Sequence, residues 1–172
     1  MSETLAIKNK DHFLAHFRNL DFSFDVDFSK TKREEAEKWV KKLDFPTSKT
    51  EHWKYTRVNK LIKGDYRMDF PEGEIDIDLS VPSKNCIVLV NGYFSKELSW
   101  FSAEKGVNFS SLSDAKENSS IIQKKFATLS KDQDEIFAAV NTAYHQDGAF
   151  LHLEKNAVAS EPLYIIHISD SE

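Results

Sequence analysis

Apolar residues recur every three or four positions in several stretches of this chain, a spacing that predicts amphipathic helices. The first predicted helix covers residues 3–20, and the second begins where Thr31 and Glu34 have the spacing of a capping box. Pro46 ends the second helix, because its ring restricts the preceding residue to extended geometry. The other predicted helices are a short one within 49–63 that Gly64 stops, and pieces at 112–116, 121–129 and 134–144, the last with Gly148 as a stop signal.

Other stretches have the pattern of β-strands. Residues 86–90 form a continuous β-rich run that ends at Asn91-Gly92, a pair that permits the positive φ angles of a hairpin turn, so residues 93–94 are expected to return as its partner. Residues 74–79 alternate between acidic and apolar positions, which predicts a strand with one acidic face. The alternation over 21–28 fits either a strand or an extended linker that anchors apolar side chains.

Two further strands are predicted at the end of the sequence, at 149–153 and 163–168. No third strand follows to close them, so we expect the beginning of a larger sheet and therefore the N-terminal portion of a longer protein. An open edge at 163–168 would leave backbone groups unpaired, and we expect the chain to self-associate there. The fold class predicted from these elements is α+β, mainly helical at first, with short strands.

Composition narrows the class of protein. The chain has 172 residues and a net charge of −5, and it lacks both a secretory signature and a run of the ~18 apolar residues that a membrane span needs. Its single cysteine excludes an intramolecular disulfide framework. We therefore expect a cytoplasmic protein that does not contact a membrane.

Charge is distributed unevenly along the chain. Residues 30–63 contain eleven basic and five acidic side chains, a net charge of +6 against −11 for the rest. Together with Trp39, Trp53 and Tyr55, this segment could form a nucleic-acid-binding module, which we keep as the alternative function. A solvated basic face is favoured over it, because Trp39 lies on the apolar stripe of its helix and the rest of the chain is acidic; the primary interpretation therefore includes no nucleic acid.

Few residues offer catalytic or metal chemistry. Cys86 lies at the start of an apolar strand run, which favours a buried cysteine over a nucleophile. His12 and His16 have i, i+4 spacing on one helix face, but a solvated pair is favoured over a metal site. His152 and His167 could face each other across a strand pair, but ordinary polar strand positions are favoured for them. With no phosphate-binding loop or nucleophile elbow in the sequence either, we expect a protein that is not an enzyme and that holds no cofactor or metal.

One segment, residues 45–56, has an unusually specific sequence, and two later segments accompany it in order. The segment 45–56 resembles the "Pro … Lys-x-Glu-x-Trp-Lys-Tyr-Thr" signature of the SufD family; the later segments, 88–99 and 137–148, are similar to that family's strand with an Asn-Gly turn and to its Phe-x-x-Leu-Asn-x-Ala stretch. Val140 replaces the usual Leu of that stretch. The residues that carry the resemblance, to which we assign mainly structural roles, are Pro46, Lys49, Glu51, Trp53, Lys54, Tyr55, Thr56, Asn91, Gly92, Asn141 and Gly148.

The resemblance implies a scaffold subunit of iron–sulfur cluster assembly that acts through protein–protein contacts with SufB and SufC, mostly by parts that lie further C-terminal. It also implies a helical N-terminal region at 1–64, a mixed region of the same domain at 65–147, and the first coil of a right-handed parallel β-helix at 148–172. No residue here corresponds to the family's positions for building the nascent cluster.

Overall fold

The computed structural model describes residues 2–20, 22, 27–68, 75, 77–115, 119–130 and 132–169. Its helices are α1 (Ser2–Ala15), α2 (Asp27–Lys42), α3 (Asn59–Ile62), α4 (Ser119–Lys125) and α5 (Ile136–Tyr144), with a 3-10 helix at Glu51–Trp53. Its strands are β1 (Asn85–Val90), β2 (Tyr93–Trp100), β3 (Val107–Ser111), β4 (Ala149–Leu153) and β5 (Leu163–Ile168). The predicted α+β class is therefore confirmed.

The chain forms two units that interleave in sequence. The helical unit contains Met1–Met68 and Gln123–Tyr144, and the sheet unit contains Asp69–Ile122 and His145–Glu172. The division at 1–64, 65–147 and 148–172 follows the architecture implied by the resemblance, and it stays a prediction.

The core of the helical unit forms where α2 packs against α5. Ala36 on α2 and Ala139 and Ala143 on α5 are almost completely buried in the same cluster, and their small side chains let the two helices approach closely. Phe13 of α1 is buried in this cluster too. Lys10 connects α1 to the C-terminal end of α2, since its Nζ donates to the carbonyls of Lys41 and Leu43.

The sheet unit is organised around β1, whose six residues are all buried. β2 pairs with β1 antiparallel and β5 pairs with it parallel, so that the strand order is β2-β1-β5. Cys86, Val88 and Val90 of β1 form a cluster against which apolar residues from the other strands pack. β3 and β4 form a separate two-stranded antiparallel sheet.

Several predicted elements differ from the structure at their ends. α2 begins at Asp27, so Thr31 lies inside the helix and does not cap it; the capping-box prediction was wrong. Residues 112–114 form a turn and not a helix. The backbone N–H of Leu112 donates to the carbonyl of Gly148 at 2.7 Å, a contact that joins this turn to a distant part of the sequence.

The alternating segments also differ from expectation. Residues 77–79 are not in a strand. Ile75 and Leu79 nevertheless pack against the β1 cluster, so the apolar positions of this alternation hold the segment on the core without forming a sheet. Residues 74 and 76 lie outside the described residues, as does most of the segment 21–28.

The two terminal strands do not pair with each other. β4 pairs with β3 and β5 pairs with β1, so His152 and His167 lie in different sheets and do not face each other across a strand pair. Within the described residues, β5 is an edge strand with β1 as its one neighbour, as the expected open edge requires. These pairings do not show a β-helix coil.

Candidate functional site

The signature segment, residues 45–56, has an inner side that packs into the helical unit. Pro46 is buried. The Phe45 ring lies 5.3 Å from the ring of Phe13 and 5.2 Å from the ring of Phe137. Trp53 is half-buried, and its ring lies 5.1 Å from Phe137. The segment is thus held against both α1 and α5 by aromatic contacts, of which the edge-to-face pair of Phe45 and Phe13 has a geometry that stabilises beyond simple burial.

Polar contacts fix the conformation of the same segment. The Nε1 of Trp53 donates to the Glu135 carboxylate at 3.4 Å, a long hydrogen bond to the residue before α5. The backbone N–H of Thr47 donates to Thr50 Oγ1 at 3.1 Å, and the backbone N–H of Lys49 donates to Thr47 Oγ1 at 3.2 Å. The two threonine hydroxyls therefore close the turn that leads into the 3-10 helix.

The outer side of the signature segment is exposed. Tyr55 is 91% exposed, and the Nζ of Lys54 lies 5.4 Å from the centre of its ring. Lys49 and Glu51 are exposed as well, and neither side chain has an ion-pair partner within the part of the chain that the structure describes. We name the exposed side chains of Lys49, Glu51, Lys54, Tyr55 and Thr56 the signature face.

The surroundings of the signature face are basic. Arg57 and Lys60 follow it and are exposed. Of the three aromatic residues considered for stacking on nucleic acid, Trp53 packs on Phe137 and Trp39 packs on the core of the helical unit, so only Tyr55 has an open ring. The face can accept a partner through one aromatic side chain and several cations.

The second signature element, Asn91-Gly92, forms the predicted hairpin turn between β1 and β2. Asn91 has φ 49° and Gly92 has φ 90°, as a two-residue turn with positive φ at both positions requires. The third element lies apart from it. Asn141 is exposed on α5, which ends at Tyr144 as predicted, and Gly148 follows in the non-helical segment before β4.

Alanine substitution should separate the roles of the two signature glycines. We expect Gly92→Ala to lower the free energy of unfolding by about 1 kcal/mol, because an L-residue is strained at its positive φ. Gly148→Ala is the matched control: its backbone is not in that region, and the added Cβ would meet Leu112 at an ordinary 3.8 Å. Urea unfolding of both variants measures the difference, and equal effects would contradict this assignment.

Cys86 has no features of a nucleophile. Its side chain is fully buried in β1, as predicted, and burial raises the pKa of its thiol. A raised pKa keeps the sulfur protonated and unreactive at neutral pH.

One cluster could hold a metal ion. Within the described residues, His12, His16 and Asp65 each offer a ligand atom, and the three atoms lie within 4.8 Å of one another. The histidine pair is visible in the sequence by its spacing. Asp65 was missed, because it lies far along the chain and only the fold brings it to α1.

Comparison with known proteins gives a family. The model of the family described as "SufBD protein N-terminal region" matches residues 10–165. No curated protein matches the sequence. None of the helices in the described residues has the length and apolar character needed to cross a membrane.

Proposed function

Starting from the fact that the chain belongs to the SufBD family, we propose that it is part of a SufD-like scaffold subunit which works in iron–sulfur cluster assembly by binding other proteins. The family match to residues 10–165 supports a role in cluster assembly. The assignment to SufD and not SufB depends on the sequence of the signature segment. The proposed scaffold role depends on which side chains of that segment are buried and which are exposed.

The observation that carries the scaffold role is the two-sided construction of the signature segment. Its inner side is anchored by Trp53 and Phe45, so a structural role explains the presence of these two residues. Its outer side presents Tyr55, 91% exposed and with no structural task among the contacts of the described residues other than the neighbouring Lys54. Tyrosine and arginine are enriched in protein-binding surfaces, and the exposed Arg57 lies close to Tyr55 in the chain.

The proposal includes no catalysis and no electron transfer by this chain, since its one cysteine is buried with a raised pKa. We propose SufB and SufC as the partners of the complete gene product, in the cytoplasm. We also propose that residues 148–172 belong to the first coil of a β-helix. The chain self-associates in this proposal through the open edge of β5, where Ile165 is 48% exposed.

Tyr55→Ala tests the proposal. In the complete gene product, we expect this variant to bind SufB and SufC at least about tenfold more weakly, as loss of an aromatic anchor does, with an unchanged melting temperature. Affinity is measured by titration calorimetry after co-purification. Val158→Ala, an 81% exposed residue of the sheet unit, is the matched control and should bind normally.

Wild-type affinity in the Tyr55→Ala variant would contradict the proposed role of the signature face, and failure of the wild-type protein to co-purify would contradict the scaffold function. A different result would support the alternative function, nucleic-acid binding. Tight DNA binding that weakens steeply with salt and is lost in Tyr55→Ala would favour a module built on residues 30–63.

A further inference from the structure

His12, His16 and Asp65 are placed as a set of metal ligands. The Nε2 of His12 lies 3.3 Å from Oδ1 of Asp65, and the Nε2 of His16 lies 3.9 Å from the same oxygen. Ligands about 2.1 Å from a tetrahedral ion are separated from one another by roughly 3.4 Å. The His12–Asp65 separation already matches that value, and rotation of the exposed Asp65 side chain shortens the other.

The tautomer of His16 also suits a ligand. Its Nδ1 lies 3.1 Å from the carbonyl oxygen of Phe13. A carbonyl only accepts hydrogen bonds, so Nδ1 carries the hydrogen and Nε2 of the neutral ring presents a lone pair toward Asp65. A histidine that donates its other ring N–H to a backbone carbonyl is the usual arrangement in metal sites. The side chain is 14% exposed, so this orientation is held by packing.

The fold holds Asp65 opposite the two histidines. Its neighbour Tyr66 donates from its hydroxyl to the carbonyl of Leu61 at 2.7 Å, and the Tyr66 ring packs at 5.6 Å from His16. The segment after α3 is therefore anchored to α1 by Tyr66, whereas Asp65 itself is 91% exposed and reachable from solvent. An ion could enter without opening the core.

We propose that His12, His16 and Asp65 bind one divalent transition-metal ion, with Zn²⁺ as the probe that suits two imidazoles and a carboxylate. Hard cations such as Mg²⁺ are disfavoured, because they prefer oxygen ligands. Three protein ligands leave a coordination position for water or for a side chain of a binding partner. This site revises the expectation that the chain holds no metal, and it is independent of the scaffold role.

Zinc titration of the tag-free chain tests the site. We expect one Zn²⁺ per chain with a dissociation constant of about 1–10 μM by calorimetry. Asp65→Ala should weaken binding at least about tenfold with an intact fold, since the residue is exposed; His12→Ala should do the same. Zinc should raise the melting temperature of the wild-type chain by several degrees, and the same zinc concentration should raise that of Asp65→Ala by less.

Two control variants replace a histidine and an aspartate that lie outside the proposed metal site. His52→Gln removes an exposed histidine in the 3-10 helix, and Asp134→Asn an exposed carboxylate of the same unit. Both should bind zinc like the wild type. The proposal is overturned if the wild type shows no binding at 100-fold excess over a roughly 1 μM constant, or if the control variants lose as much affinity as Asp65→Ala.

Discussion

Replacing Trp53 with alanine is expected to destabilise the helical unit by about 2 kcal/mol, near half the cost of deleting a fully buried tryptophan. The side chain is half-buried: its ring packs on Phe137, and its Nε1 donates to Glu135. For a unit of this size, the loss corresponds to a fall of roughly 10 °C in melting temperature. Thermal unfolding followed by circular dichroism measures it.

Two further variants show which contacts cause the loss of stability expected for Trp53→Ala. Trp53→Phe keeps the ring contact with Phe137 and loses the hydrogen bond to Glu135, so we expect a smaller loss of about 1 kcal/mol. Tyr55→Ala removes the neighbouring aromatic residue, which is 91% exposed, and should leave the melting temperature unchanged. An unchanged melting temperature for Trp53→Ala, accompanied by loss of partner binding, would place Trp53 in the interface and not in the core.

Asp147→Ala is expected to destabilise the sheet unit strongly. Oδ1 of Asp147 accepts from the backbone N–H of Ser113 at 3.0 Å and from that of Gly148 at 2.8 Å, and its Oδ2 accepts from Ser113 Oγ at 3.0 Å. The carboxylate thereby joins the turn after β3 to the segment before β4. Alanine leaves two half-buried backbone donors without these partners, which we expect to lower the free energy of unfolding by about 3 kcal/mol.

Urea unfolding of two further variants isolates the role of Asp147. Asp147→Asn retains one acceptor oxygen for the two backbone donors, and we expect a loss of about 1 kcal/mol. Asp114→Ala removes an exposed carboxylate from the same turn as Ser113 and should be neutral. If Asp147→Ala were as stable as Asp114→Ala, the three hydrogen bonds would not hold the two segments together.

Much of the local structure was predictable because it depends on near neighbours in the chain. The apolar stripe that includes Trp39 marked the face of α2 that packs on the core, the apolar run of β1 marked a strand buried throughout, and Asn91-Gly92 marked the turn between β1 and β2. Each signal reflects a preference of a few consecutive residues. The misplaced start of α2 shows the limit, since a capping pair inside a helix looks the same in sequence as one at its end.

The pairing of strands that lie far apart in the chain could not be predicted from such local patterns. That β5 lies parallel to β1, and that β4 pairs with β3, depends on which sheet edges the whole fold brings together. The proposed metal ligands show the same dependence among side chains. His12 and His16 are related by helical spacing, but Asp65 lies near them because the segment after α3 packs against α1, with Tyr66 on Phe13 and His16.

The sequence by itself determined most of the helices and strands, the buried cysteine and the signature segment, because these follow from residue preferences over short distances. Only the tertiary structure decided which side of that segment is buried and which is exposed: Trp53 turns toward Phe137, while Tyr55, two residues later, turns to solvent. The physical reason is that burial depends on what a distant part of the chain, here α5, places opposite each side chain.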